Sequence, residues 1–281
     1  MSPPKQIFSD AEARTLRQLV HDRTGIWYAD ARCDRLAERA ADHMAGLGLG
    51  DFATYLRTLT SSVNSEAAFR GLYDAVTVQE TSFFRDPKQL EHFEHAVLPE
   101  LLHARAGDRR LRVWSAACST GEEAYTLAMI VRRALGERLA AWDVEILGTD
   151  LSDAALDVAR AGVYTPYALR SLGPEDRAAA FTEVAPNRFR IAPEIAGLVR
   201  FDHQNLADAA GIAARGVWDV VFCRNVLIYF DGPARDAAVA SLRDALAPGG
   251  ALLVGHSEQR SDEPGLVRYG PAHAFAYRTA A

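Results

Sequence analysis

Two segments constrain what this chain can fold into: residues 111–129 (LRVWSAACSTGEEAYTLAM) and 217–230 (VWDVVFCRNVLIYF). Each runs as an apolar strand into small or polar residues and then resumes an apolar pattern. Each therefore carries a polar site at the carboxyl end of a buried strand, which is the edge where ligands bind in an open α/β sheet. Between them, residues 146–150 (ILGTD) read as a third apolar strand that ends in an acid. The order around these segments is helix over 87–104, strand 111–116, helix 120–135, strand 144–149, helix 152–161, strands 199–203 and 218–223, helix 232–246 and strand 251–255. Such alternation predicts a mainly parallel sheet covered on both faces. Residues 266–269 and 274–277, around Gly270-Pro271, alternate apolar and polar and read as a closing antiparallel hairpin.

The first 75 residues read as helix only. Ser9 and Glu12 form a capping box, with Leu16, Leu19 and Val20 at helical spacing and Gly25 as a stop. Further helices cover about 31–45, the stretch after Asp51 and the stretch from Ser65. Arg32, Arg35 and Arg39 share one helix face, which is either a solvated surface, given Asp34, Glu38 and Asp42 nearby, or a docking face for an acidic helix. Residues 76–86 (VTVQETSFFRD) break the pattern and suggest an extended linker. After it, Asp86 caps a helix, Pro87 takes its first position and Gln89 reaches back to the cap.

A formal net charge of −6 gives no electrostatic footprint for nucleic acid. Without a secretory signal or a run of about 18 apolar residues, neither export nor membrane insertion is expected, and the chain reads as a cytoplasmic monomer. Cys33, Cys118 and Cys223 lack disulfide or zinc spacing, so no metal is expected.

The loop 116–121 (AACSTG) follows the first strand of the sheet and opens a helix, the place of the Gly-rich turn in dinucleotide folds, but only Gly121 is present. That disfavours a pyrophosphate cofactor and favours S-adenosylmethionine. Its carboxylate can accept amide hydrogen bonds at a helix N-terminus, Glu122 or Glu123 can take its ammonium, and Asp150 is placed for its ribose hydroxyls. As ordinary alternatives, Asp150 caps the next helix and the two glutamates are first-turn charges.

Residues 81–86 (TSFFRD), 113–116 (VWSA), 118–123 (CSTGEE), 222–230 (FCRNVLIYF) and 255–258 (GHSE) resemble, in order and spacing, the motif set of the chemotaxis receptor methyltransferase (CheR) family. The resemblance runs from about Phe8 to Tyr277. It implies a Rossmann-like S-adenosylmethionine-dependent methyltransferase domain over 87–281, with a small β-subdomain inserted at 164–200. A small all-α domain (1–75) and the linker (76–86) would precede it. The implied activity is transfer of the cofactor's methyl group to glutamate side chains on the cytoplasmic helices of chemoreceptors, leaving S-adenosylhomocysteine. By the same resemblance Gln79, Thr81 and Arg85 would line the cofactor pocket, Glu122 or Glu123 and Asp150 would hold the methionine and ribose parts, and Asn205, Leu206, Asn225 and Val226 would complete it. Arg224 or Tyr229 takes a positioning role. His256 is a strand-end histidine or a wall of the substrate channel, and Phe83 and Phe84 are packing residues. The alternative class is a non-catalytic S-adenosylmethionine-binding signalling module.

Three departures from the family pattern stand out. Gln79 replaces a usual Asn, and Ala117 and Ala124 stand where Gly and Pro are common. The stretch 183–187 (EVAPN) lacks the glycines of the form that binds a receptor C-terminal tether peptide, so no dependence on such a tether is expected.

Overall fold

The computed structural model describes residues 8–61, 65–259 and 263–279. Helices α1 (Asp10–Thr24), α2 (Cys33–Gly46), α3 (Phe52–Thr60) and α4 (Ser65–Val76) come first. After an irregular stretch, α5 (Pro87–His92), a π turn (Phe93–Val97) and α6 (Leu98–Ala104) lead to β1 (Arg110–Ser115), α7 (Glu122–Leu135), β2 (Asp143–Asp150) and α8 (Asp153–Ala161). Next come β3 (Val163–Tyr164), α9 (Pro174–Ala180), β4 (Phe181–Ala185), β5 (Arg188–Ile191) and α10 (Pro193–Ala196). The chain ends with β6 (Val199–His203), α11 (Ala209–Ala214), β7 (Trp218–Cys223), α12 (Gly232–Asp244), β8 (Leu246–Val254), β9 (Leu266–Tyr269) and β10 (Ala276–Thr279).

Seven strands form one sheet in the order β6-β2-β1-β7-β8-β10-β9, all running one way except β10, which is antiparallel to both its neighbours. The chain moves from β1 outward through β2 to β6, then crosses back to β7. Strand order therefore reverses between β1 and β7, and a crevice opens above their carboxyl ends. The apolar runs that predicted these strands are buried on both faces. Val113, Ile146, Val220 and Phe222 pack under α7, while Trp114, Leu147, Val221 and Cys223 pack under α12. Trp114 satisfies its buried indole by donating to Thr149 Oγ1 at 2.9 Å. Strands β3, β5 and β4 make a separate antiparallel sheet, the inserted β-subdomain.

The N-terminal helices share a core of Leu16, Val20, Leu36, Tyr55, Leu59, Phe69 and Leu72. The capping box forms as read: Glu12 N donates to Ser9 Oγ at 3.3 Å and Ser9 N to Glu12 Oε2 at 2.8 Å. These helices are bound to the sheet's crevice edge. Ile26 bridges Phe230, Trp27 N donates to Tyr229 O at 2.7 Å, and the Asp74 carboxylate accepts from Ser152 Oγ and Ala154 N.

Local capping at Asp86 does not form. Pro87 opens α5 as expected, but Asp86 adopts a left-handed conformation (φ 57°) and makes no side-chain cap. Gln89 does not reach back either. It is buried and donates to Val254 O at 2.8 Å and Ala274 O at 2.7 Å, tying α5 to the ends of β8 and β10. Two buried carbonyls that would otherwise lack a donor outweigh one exposed cap. The π turn ends two residues before Pro99, which has no N–H for an i−4 bond, and the widened turn lets the helix continue.

Replacing Gln89 by Leu keeps the volume and strands both carbonyls. Stability should fall by about 2–4 kcal/mol, read as a lower urea midpoint at unchanged slope.

Candidate cofactor and active site

Loops at the carboxyl ends of four parallel strands converge on one cleft. The loop after β1 supplies Ala116, Ala117 and Ser119; β2 and the residue after it supply Asp150 and Leu151; the loop after β6 supplies Gln204, Asn205 and Leu206; that after β7 supplies Arg224, Asn225, Val226 and Tyr229. Gln79, Thr81 and Arg85 close it from the linker side. The floor of the β1 loop depends on Gly121. Its φ is +94°, and an added Cβ would lie 2.7 Å from Ala159 Cβ, so only glycine lets α7 begin this close to α8.

Of the residues proposed from sequence, every one except Glu122 lines this cleft. Adjacent residues on a helix point about 100° apart, so Glu122 and Glu123 separate. Glu122 turns inward, accepts from Thr120 Oγ1 at 2.6 Å, and is buried, which pushes its carboxyl above the usual range. Glu123 faces the cleft, accepting from Ser115 Oγ at 2.6 Å and pairing with Arg224 at 3.0 Å.

Asp150 is not the cap of α8. Ser152 is that cap, accepting from Ala155 N at 3.1 Å. The Asp150 carboxylate instead joins two loops, accepting from Ser119 N at 2.8 Å and Ser152 N at 3.0 Å. Burial raises its pKa, and the two N–H groups oppose that rise. Gln79 accepts from the Ser119 hydroxyl and donates to Thr77 Oγ1 at 3.0 Å, so the longer amide rests on the β1 loop. Asn205 is held by its own bonds, to Arg23 O at 2.6 Å and from Ala207 N at 3.0 Å.

Arg224 is buried against the protein. Its side chain is 2% exposed, and its terminal nitrogens donate to Glu123 at 3.0 Å, Asp86 at 2.9 Å and Arg85 O at 2.8 Å. A guanidinium so engaged holds the linker, α7 and the β7 loop together through its two terminal nitrogens, while its buried Nε has no partner among the described residues. Phe83 packs edge-on to Tyr164 (4.9 Å) and Phe181 (5.0 Å), as a packing residue should. His256 is exposed and is not among the residues lining this cleft.

Sequence reasoning missed the contribution of the N-terminal helices. Thr24, Ile26, Trp27 and Tyr28 line the cleft, and Arg32, Arg35 and Arg39 of the α2 region stand along it. Arg39 is committed to Val76 O (3.1 Å) and Thr77 O (3.2 Å), while Arg32 and Arg35 are exposed. No periodicity in a single segment reports a contact made across 200 residues of chain. Among the described residues no group of His, Cys, Asp and Glu is arranged to hold a metal, and no helix is long and apolar enough to cross a membrane.

A family model described as "CheR methyltransferase, SAM binding domain" matches residues 79–273, the span that contains all four strand-end loops. The chain belongs to the CheR family. It is 36% identical to the chemotaxis protein methyltransferase of Salmonella typhimurium, over 92% of this chain and 86% of that one. With the Escherichia coli protein of the same description the identity is 35%, over 90% and 86%. With a probable chemotaxis protein methyltransferase of Rhizobium etli it is 35%, over 87% and 91%. This CheR-family chain is an S-adenosylmethionine-dependent methyltransferase of the chemotaxis type. The lining is chemically compatible with that cofactor: carboxylates that suit a diol and an ammonium, apolar Leu151, Leu206 and Val226 on the same cleft, and the N-terminus of α7 after the β1 loop.

Replacing Arg224 by Met leaves Glu123, whose side chain is 12% exposed, without its cation. The loss should be about 3–5 kcal/mol, mostly from Glu123, because Asp86 at 41% exposure is screened by water. Chemical denaturation checks it, and a double R224M/E123Q variant should recover part of the loss.

Proposed function

We propose that this chain transfers the methyl group of S-adenosylmethionine to glutamate side chains on the cytoplasmic helices of chemoreceptors, forming glutamate methyl esters. The observation that carries this reading is that exposed arginines of the N-terminal region, Arg32 and Arg35, and Arg85 of the linker line the same cleft as Asp150. A cationic rim suits a carboxylate acceptor. Among the described lining residues there is also no histidine, lysine or cysteine, and a carboxylate acceptor needs no such base. A glutamate with an unperturbed pKa near 4.3 is already ionised at neutral pH. In this reading the chain divides into a helical unit (1–75), a connecting linker (76–86) and a methyltransferase domain (87–281) with its insertion at 164–200.

The residues divide the work as follows. Asp150 accepts from the ribose hydroxyls, and Glu123, already half-neutralised by Arg224, takes the ammonium. Gln79, Thr81 and Arg85 cover the cofactor from the linker, and Asn205, Leu206, Asn225 and Val226 complete the wall. The bound cofactor supplies an electrophilic methyl on sulfonium. The bond from carboxylate oxygen to methyl forms as the sulfur–methyl bond breaks, so an anion and a cation become two neutral products. The chain's task is to hold the carboxylate in line and exclude water, because a site of low dielectric destabilises the charged reactants more than the transition state. Arg32 and Arg35 steer the acidic helix, and Tyr229 bounds the approach to the methyl group.

The β4–β5 hairpin closes with a two-residue turn at Pro186-Asn187, where Asn187 takes a left-handed φ of 58°. A connection that short supports independence from a receptor tether.

The proposed role of Asp150 makes binding pH-dependent. Burial raises its pKa in the free protein, whereas hydroxyls donating to it favour the ionised form. Binding therefore releases a proton when the pH lies near or below the raised value. Affinity for S-adenosylhomocysteine should fall as pH drops through that value, approaching about tenfold per unit. Titration calorimetry from pH 8 downward checks this, and in Asp150→Asn the slope should vanish.

Methyl transfer separates the enzyme from a non-catalytic binding module. With labelled cofactor and receptor-bearing membranes, base-labile label should appear on the receptor band. The R32A/R35A variant should lower kcat/KM for receptor about tenfold, with S-adenosylhomocysteine affinity unchanged. Cofactor binding without transfer to any receptor would favour the module.

A further inference from the structure

One buried carboxylate takes no part in the chemistry above. Glu258 ends the short 3-10 turn His256–Glu258 after β8 and is 3% exposed. Its side chain folds back to Gly255 N, 2.6 Å from Oε2, and reaches across to the loop after β7. There Oε2 accepts from Asn225 N at 2.7 Å, and Oε1 accepts from Val226 N at 2.7 Å, Leu227 N at 2.7 Å and Ile228 N at 3.3 Å. Five backbone N–H groups, four of them consecutive, converge on one carboxylate. That convergence requires the left-handed Asn225 (φ 60°), which turns successive N–H groups to the same side. It also requires Gly255, where an added Cβ would lie 2.4 Å from Glu258 Oε2 and 2.9 Å from Asn225 N.

We infer that Glu258 is a positioning residue for methyl transfer: its carboxylate shapes the loop that sets Asn225, Val226 and Tyr229 in the cofactor cleft. The inference rests on the proposed function, which places those three side chains at the cofactor and its methyl group. Arg224 and the Ile26–Phe230 bridge hold the two ends of this loop, and Glu258 holds the turn between them. Left-handed Asn225 is costly without compensation, and without the carboxylate the N–H groups of 225–228, that of Leu227 buried, would lose their acceptor. Charge-assisted bonds to a single anion supply both needs and leave the side chains free to face the cleft. No amide or shorter acid can replace it. Glutamine turns one oxygen into a donor facing N–H groups, and aspartate withdraws both oxygens by one methylene.

The test uses the full chain and Glu258→Gln. Its dissociation constant for S-adenosylhomocysteine, by calorimetry, should rise about tenfold or more, since even one unmet buried donor is worth that factor. Asp219→Asn is the control. Asp219 is also a buried carboxylate, bonded to Arg112 N (2.8 Å) and Arg105 (2.6 Å), but it sits near the amino end of β7, away from the cleft. It should lose thermal stability with its affinity unchanged. Equal loss of affinity in both variants, or wild-type affinity in E258Q, overturns the inference. If E258Q does not fold, the wild-type protein decides: amides 225–228 should be protected from hydrogen exchange before ligand is added, and rapid exchange there overturns the proposal. Failure of the wild-type protein to bind S-adenosylhomocysteine would overturn the proposed function and this inference with it, whereas binding by wild type and E258Q alike overturns this inference alone.

Discussion

A guanidinium buried to 2% exposure governs the geometry of the cleft. Arg224 leaves the end of β7 and meets Glu123 on α7 and both Asp86 and the Arg85 carbonyl on the linker. Taking that charge out of water is costly, and the cost is offset only when partners are supplied from several directions. The linker is therefore held beside the sheet by a charge that has few other options. It is tied as well by bonds from Phe83 N to Ala168 O at 3.0 Å, from Phe84 N to Thr126 Oγ1 at 3.2 Å, from Arg39 to Val76 O at 3.1 Å and from Arg170 to Glu80 at 3.2 Å. Gln79, Thr81 and Arg85 reach the cleft because of this clamp.

How far the sequence disclosed this depends on the range of the forces involved. Strand β7 was readable as VWDVVFC because a strand buried on both faces must be apolar along its length, and Ser9 with Glu12 because a capping box is complete within four residues. Asp86, Pro87 and Gln89 carried an equally good local signature that was half misleading. Proline kept its place since its restraint is covalent, while Asp86 and Gln89 turned to partners 138 to 185 residues away. Glu122 and Glu123 could not be separated by pattern, since only the packing of Leu127, Ala128 and Ile130 against the sheet sets the rotation of α7. The GHSE motif was visible, but its purpose was not, because its five partners are backbone groups and carry no residue signature.

The N-terminal helices illustrate the same limit from the other side. Their amphipathic faces announced a core, and Leu16, Val20, Leu36 and Phe69 form it. Their service to the cleft lies in the connection between α1 and α2, where Ile26 and Trp27 add a strand-like contact to Phe230 and Tyr229. That contact brings the exposed Arg32 and Arg35 to the rim. A helix face that reads as solvated when considered alone becomes part of the cleft lining once the sheet is placed beside it.

Charge balance in the cleft explains why the clamp and the chemistry share a residue. Asp150 and Glu123 both face the space into which the proposed glutamate must come. With Glu80 also on the lining, three protein carboxylates would repel the acceptor, the more so as water is excluded. Arg224 offsets the charge of Glu123, and burial raises the pKa of Asp150, so in the proposed reading its charge is least costly when ribose hydroxyls meet it. The cations left exposed are then those at the entrance, where they attract a carboxylate without holding it so tightly that the reactants become more stable than the transition state.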